Sequence, residues 1–62
     1  MGNLKDYSDV LTPEEVGKFL NIGMNKVYEL LKNRKIRSIK IGQQYRIPKP
    51  WLKAFLFDLQ VA

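Results

Sequence analysis

The reading of this chain turns on "IKIGQQYRI", residues 39–47. Apolar and polar residues alternate on both sides of Gly42, and strict alternation over a few residues marks a half-buried strand. Gly42 with Gln43 and Gln44 supplies the bend, so the pattern predicts a β-hairpin. Pairing Ile39 with Ile47 and Ile41 with Tyr45 leaves residues 42–44 as a three-residue loop, in which Gly42 provides the positive φ that a tight bend requires. That register sets Lys40 across from Arg46 on the solvated face, where like charges repel. A slip of one residue would separate the two cations but turn half of the apolar set outward. Two facing cations on an exposed ribbon call for a reason.

Two helices are predicted upstream. In "LTPEEV", residues 11–16, Thr12 is an N-cap, Pro13 takes the first helical position and Glu15 closes a capping box. Leu11 and Val16 stand where a hydrophobic staple joins them. Val16, Phe19 and Leu20 form the buried stripe of a helix over 13–20, and Asn21 can take the left-handed conformation that ends it. Gly17 costs about 1 kcal/mol against alanine inside a helix, which points to close approach of another backbone. A second helix is expected over 24–33, with Gly23 as N-cap and Ile22 and Val27 as its staple. Helical spacing puts Val27, Leu30 and Leu31 on one face. The opposite face carries Asn25, Glu29 and Lys32, flanked by Lys26, Tyr28 and Asn33. Two short helices joined by a tight turn match the helix-turn-helix pattern, whose second helix enters the DNA major groove. Amide, cation and tyrosine side chains there can meet base edges and phosphates. Each is equally an ordinary solvated helix residue. Glu29 either accepts from cytosine or pairs along the helix with Lys26, Lys32 or Asn33.

Strands are expected near 38–41 and 45–48, with Val10 and Leu11 as candidates for a short third strand at the hairpin edge. "PKPWLKAFLFDL", residues 48–59, then starts a helix over about 50–59 with Pro50 at an early position. Trp51, Leu52, Phe55, Leu56 and Leu59 share one broad stripe suited to covering the hairpin and the first two helices. Trp51 is read as core packing rather than base stacking. Phe57 and Val61 lie off the stripe; either they cover a remaining edge or they form an exposed patch for a partner.

Composition narrows the chemistry. Sixty-two residues make one domain, near the lower limit for burying a sufficient core without help. With no cysteine and no histidine, neither a disulfide nor a usual metal site is expected. No cofactor is implied, because no glycine-rich phosphate loop appears. Glu14 and Glu15 are adjacent on a helix and serve capping and the helix dipole, so no catalytic carboxylate pair is expected. No apolar run approaches the ~20 residues of a membrane span, and the start lacks a signal-peptide pattern, which predicts a cytoplasmic protein with no membrane partner.

Charge separates the chain into regions. Residues 1–23 hold two lysines against four acids, a net of −2, whereas residues 24–53 hold nine cations against Glu29 alone, a net of +8. Asp58 brings the whole to +5. A clustered positive field suits a polyanion, whereas a merely solubilising surface intersperses both signs.

With these features in place, the order from Val10 to Leu56 resembles the excisionase family of small DNA-binding proteins, whose winged helix-turn-helix is similar to the MerR-type DNA-binding domain. The matching stretches are "LTPEEVGKFLNIGMNKVYELLKNRKI" and "KIGQQYRIPKPWLKAFL", which together span about three quarters of the chain. Two positions depart from the family's pattern: a glycine is common near Arg34, and serine often stands where Gly23 does. The resemblance implies an α+β fold, a small winged helix-turn-helix of two short helices, a two-stranded hairpin as the wing and a C-terminal helix. Residues 1–9 would be a flexible lead and 10–62 the DNA-binding domain. It implies an architectural protein that binds double-stranded DNA beside recombination sites and bends it. Such a protein helps a tyrosine recombinase (the integrase) to excise a mobile element, with no strand chemistry and no small-molecule substrate of its own. Self-association along DNA is a further expected partnership. The alternatives are a small phage, plasmid or transposon transcriptional regulator with the same domain, or a protein-interaction module that binds no nucleic acid.

The resemblance also orders the candidate contacts. Asn25, Lys26, Tyr28, Glu29, Lys32 and Asn33 belong to the recognition helix. Arg34, Lys35 and Arg37 in the connection "KNRKIRS" and Lys40 and Arg46 in the wing are basic candidates for contact with the DNA, and Gln43 and Gln44 at the wing tip either reach the minor groove or simply form the turn. The facing cations then have their reason: Lys40 and Arg46 straddle phosphates that neutralise their repulsion.

Overall fold

Thr12 opens the first helix with the reciprocal bonds of a capping box. Glu15 N donates to Thr12 Oγ1 at 3.2 Å, and Thr12 N donates to Glu15 Oε1 at 2.9 Å. The computed structural model describes residues 4–61, and side chains as far as Leu59. Its elements, in order, are a 3₁₀ turn at Leu4–Asp6, β1 (Val10–Leu11), α1 (Pro13–Leu20), α2 (Met24–Lys32), β2 (Ile39–Ile41), β3 (Gln44–Pro48) and α3 (Lys49–Val61). The result is a small α+β fold of three helices and a three-stranded antiparallel sheet ordered β1-β3-β2, consistent with a winged helix-turn-helix. Val10 and Leu11 do form the third strand, paired with Pro48 and Ile47.

Both helix ends in the helix-turn-helix unit are closed by a left-handed residue. Asn21 has φ 59°, with its N–H bonded to Lys18 O and that of Ile22 to Gly17 O. Gly17 lies where α1 meets α2. A Cβ there would stand 3.3 Å from both the Ile22 carbonyl oxygen and Val27 Cγ2, which is why the helix carries a glycine at this place. At the end of α2, Arg34 takes φ 59°. Its N–H bonds to Leu31 O at 3.2 Å and that of Lys35 to Leu30 O at 2.9 Å, the two bonds of a Schellman cap. The glycine common in the family at this point would fit without strain; here an arginine occupies the left-handed position.

The core is Leu4, Leu11, Val16, Val27, Leu31, Ile36, Ile47 and Leu52. Phe19, Leu20, Leu30, Phe55 and Leu56 pack against it at partial burial. Ile36 is fully buried although it stands inside the basic connection; it is the plug that ties that connection to the core. Two residues of the lead read over residues 1–9 meet the folded body. Leu4 is buried and the Tyr7 ring meets Phe19 edge-on at 5.9 Å.

The structure corrects the hairpin register. Ile39 pairs with Arg46, Lys40 with Tyr45 and Ile41 with Gln44, so the turn holds two residues, Gly42 and Gln43. Gly42 has φ 61°, the sign that a type II′ turn asks of its first central residue, and such a turn matches strand twist better than a longer loop. The slip has the consequence read from the sequence: Ile39 and Ile41 lie 45% and 66% exposed, on the other face from Tyr45 and Ile47. Two further expectations are corrected on α3. Trp51 is half-buried and stands outside the core, with Leu52 taking the central place, and Leu59 is exposed. Phe57 is 63% exposed, whereas the side chain of Val61 lies outside the described residues.

Candidate nucleic-acid interface

Helix α2 turns Val27 and Leu31 into the core, and helical geometry therefore sends Asn25, Lys26, Tyr28, Glu29 and Lys32 to the surface, all exposed. Asn33, the C-cap, is exposed as well. Among the partners open to Glu29, the structure selects Lys26: Nζ to Oε1 is 3.6 Å, between side chains each 58% exposed. A solvated pair of this kind contributes little to stability, roughly 0–1 kcal/mol. It leaves Lys32 as the uncompensated cation of the helix.

Tyr28 joins the helix to the wing, with its ring 6.1 Å from that of Tyr45. Tyr45 in turn carries Lys40, whose Nζ lies 5.3 Å from the ring centroid. The surface thus runs without a break from α2 across the two tyrosines to the inner face of the wing. Between the end of α2, the wing and the start of α3 it opens into a cavity of about 470 Å³ whose walls include Lys32, Arg34, Arg37, Lys40, Tyr45 and Trp51, and no carboxylate. Arg37 lies over Trp51, its Cζ 5.0 Å from the ring centroid.

Lys40 and Arg46 are not brought together. Arg46 is half-buried beside a second cavity of about 220 Å³ that Glu14, Gln43 and Gln44 also line, and Tyr45 borders both cavities. Its guanidinium donates to Tyr45 O at 2.9 Å and to Gln44 Oε1 at 2.7 Å. Cross-strand repulsion between the two cations therefore does not arise, and the arrangement needs no DNA to relieve it. Gln43 and Gln44 are exposed at the wing tip, and Lys35 is exposed without lining either cavity. Sequence reasoning missed Tyr45 and Trp51 as parts of this surface. The cations that meet these rings, Lys40 for Tyr45 and Arg37 for Trp51, stand five and fourteen residues away in sequence, so the pairing depends on register and on how α3 docks.

Among the described residues no helix is long and apolar enough to cross a membrane.

Comparison with known proteins agrees with the geometry. Residues 10–56 match the model of a helix-turn-helix domain family. Over 50 residues the chain is 38% identical to an excisionase of Streptomyces ambofaciens, an alignment that covers 81% of this chain and 81% of that relative. No solved structure matches.

Proposed function

This chain belongs to the excisionase family of helix-turn-helix proteins, and we infer from that membership that it is a sequence-specific architectural protein of double-stranded DNA, acting in excision of a mobile element. In this reading α2 enters the major groove. Asn25, Lys26 and Tyr28 address base edges and Lys32 the backbone, while Arg34, Lys35, Arg37 and Lys40 hold phosphates and Gln43, Gln44 and Arg46 serve the wing tip. It carries out no strand chemistry. A tyrosine recombinase is the catalytic partner, and the cytoplasm is the compartment where both meet DNA.

One observation carries this reading: the exposed face of α2 continues through Tyr28 and Tyr45 into an opening walled by four cations and no acid. Such a field repels a basic partner, and its own repulsion is relieved by a polyanion, of which the DNA duplex is among the most densely charged. A gel-shift titration against random duplex at low and moderate salt tests the binding. Tight association that weakens steeply with salt is expected, and no association even at low salt would remove the DNA reading in favour of a protein-interaction module. Restoring excision in a reaction of purified recombinase and a DNA carrying the element's ends tests the role; recombination indifferent to the protein would overturn it.

A further inference from the structure

Trp51 has a place that packing alone does not explain. It is the one tryptophan of the chain, yet it stands half-buried on the wall of the basic cavity while its neighbour Leu52 fills the core. The guanidinium of Arg37 lies over its ring at 5.0 Å. A guanidinium stacked on an indole keeps its N–H edge free and fixed in direction, and that planar fork suits the two oxygens of a phosphodiester. On the opposite wall Lys40 is braced in the same way on Tyr45, at 5.3 Å. Arg34 stands at the helix cap with a left-handed backbone, and Lys32 ends α2. Among the described residues none of these four cations forms an ion pair. The cavity, about 470 Å³ and open to solvent, has room for a phosphate group. Four cations, two of them lying against rings, around an opening to solvent describe a receptacle for an anion.

We propose that this cavity is a dedicated seat for one phosphodiester of the DNA backbone, and that Trp51 is a positioning residue that aims Arg37 at the phosphate. The proposal rests on the DNA-binding reading and adds to it where one strand is gripped and by which group. It distinguishes Arg37 from Lys35, an equally exposed cation two residues away that lines no cavity.

Because the chain has a single tryptophan, its emission reports on this cavity alone. The full chain is titrated with a labelled random duplex, reading label anisotropy and Trp51 emission together, and separately with inorganic pyrophosphate at matched ionic strength. The duplex should change Trp51 emission with the same midpoint as the anisotropy, and pyrophosphate should produce the same change only at far higher phosphate concentration. Arg37→Gln should weaken duplex binding roughly tenfold, the scale of one charge-assisted hydrogen bond. It should also lower the slope of log K against log salt by about 0.9, the share of one phosphate contact. Lys35→Gln, which removes a backbone contact outside the cavity, should lower the slope by a similar amount but leave the duplex-induced change in Trp51 emission intact. Trp51→Phe, which keeps a ring under Arg37, should retain the native slope, and Trp51→Leu should reproduce the slope of Arg37→Gln at an unchanged melting temperature. Should Trp51→Leu fail to fold, the Arg37→Gln and emission arms still decide. Anisotropy showing duplex binding with silent Trp51 emission and a native slope in Arg37→Gln overturns the seat and leaves DNA binding intact. Absence of duplex binding overturns the DNA reading and the seat with it. Pyrophosphate binding more tightly than duplex overturns the seat as a DNA site and makes it one for a free polyphosphate.

Discussion

Lys40 stands opposite Tyr45 across the wing, with its ammonium 5.3 Å from the ring centroid, and Arg46 faces Ile39 on the next rung. The wing cations are therefore independent of one another, which can be measured. Lys40→Gln should lower the salt slope of duplex binding by about 0.9, with a stability change no larger than the ~0.5–1 kcal/mol of an exposed cation–π contact. Arg46→Gln breaks the bonds to Gln44 and the Tyr45 carbonyl and should cost about 0.5–1.5 kcal/mol of stability. A double-mutant cycle in chemical denaturation should return no repulsion between the two. Single variants that are each more stable than the native chain, with a double variant that gains less than their sum, would restore the facing register.

Arg34 trades stability for charge. A left-handed backbone costs a residue with a Cβ about 1–2 kcal/mol, whereas glycine adopts it freely but loses ~0.5–1 kcal/mol more in chain entropy on folding. Arg34→Gly should therefore gain up to about 1 kcal/mol, which raises the melting temperature by several degrees in a domain of this size. The same change should weaken duplex binding and flatten its salt dependence. Thermal melting beside a salt titration checks both; a fall in melting temperature would show that the arginine side chain supports the fold.

Ile36 and Leu52 are fully buried, and either one changed to alanine should cost about 2–5 kcal/mol, a large part of the 5–15 kcal/mol typical of a folded domain. Leu59→Ala, at a 59% exposed position, should stay within about 0.5 kcal/mol. Urea midpoints of the three variants separate the two groups, and a Leu59 variant as damaged as Leu52 would show that a partner or second copy covers the end of α3.

Asn25 occupies the first turn of α2, where the leading residues of a recognition helix reach base edges. Asn25→Ala should lower the ratio of specific to random affinity by about 1–3 kcal/mol, the worth of a bidentate contact to adenine. Its salt slope should match that of the native chain, since no phosphate contact is lost. Equal losses on both duplexes would move Asn25 from reading bases to holding the backbone.

The local signals of this chain were legible residue by residue. The Thr12–Glu15 box, Pro13, the glycine at 17 and Asn21 each act within one or two turns of helix, so their neighbours in space are their neighbours in sequence. The same is true of the exposed face of α2, because helical periodicity assigns Asn25, Glu29 and Lys32 to solvent once Val27 and Leu31 are inside. The block of positive charge between residues 24 and 53 also needed no structure to be seen. What tertiary structure alone decided was which distant groups meet. Alternation allowed two hairpin registers one residue apart, and the turn conformation at Gly42 chose the one that sends Ile39 and Ile41 outward and divides Lys40 from Arg46. Helical spacing put Trp51 and Leu52 on one broad stripe; only the angle at which α3 lies on β3 gave Leu52 the core and left Trp51 to Arg37. Ile36 looked like part of a basic connection, because no periodic pattern marks a single apolar residue in a loop. Its burial follows from where the loop must pass between α2 and the wing.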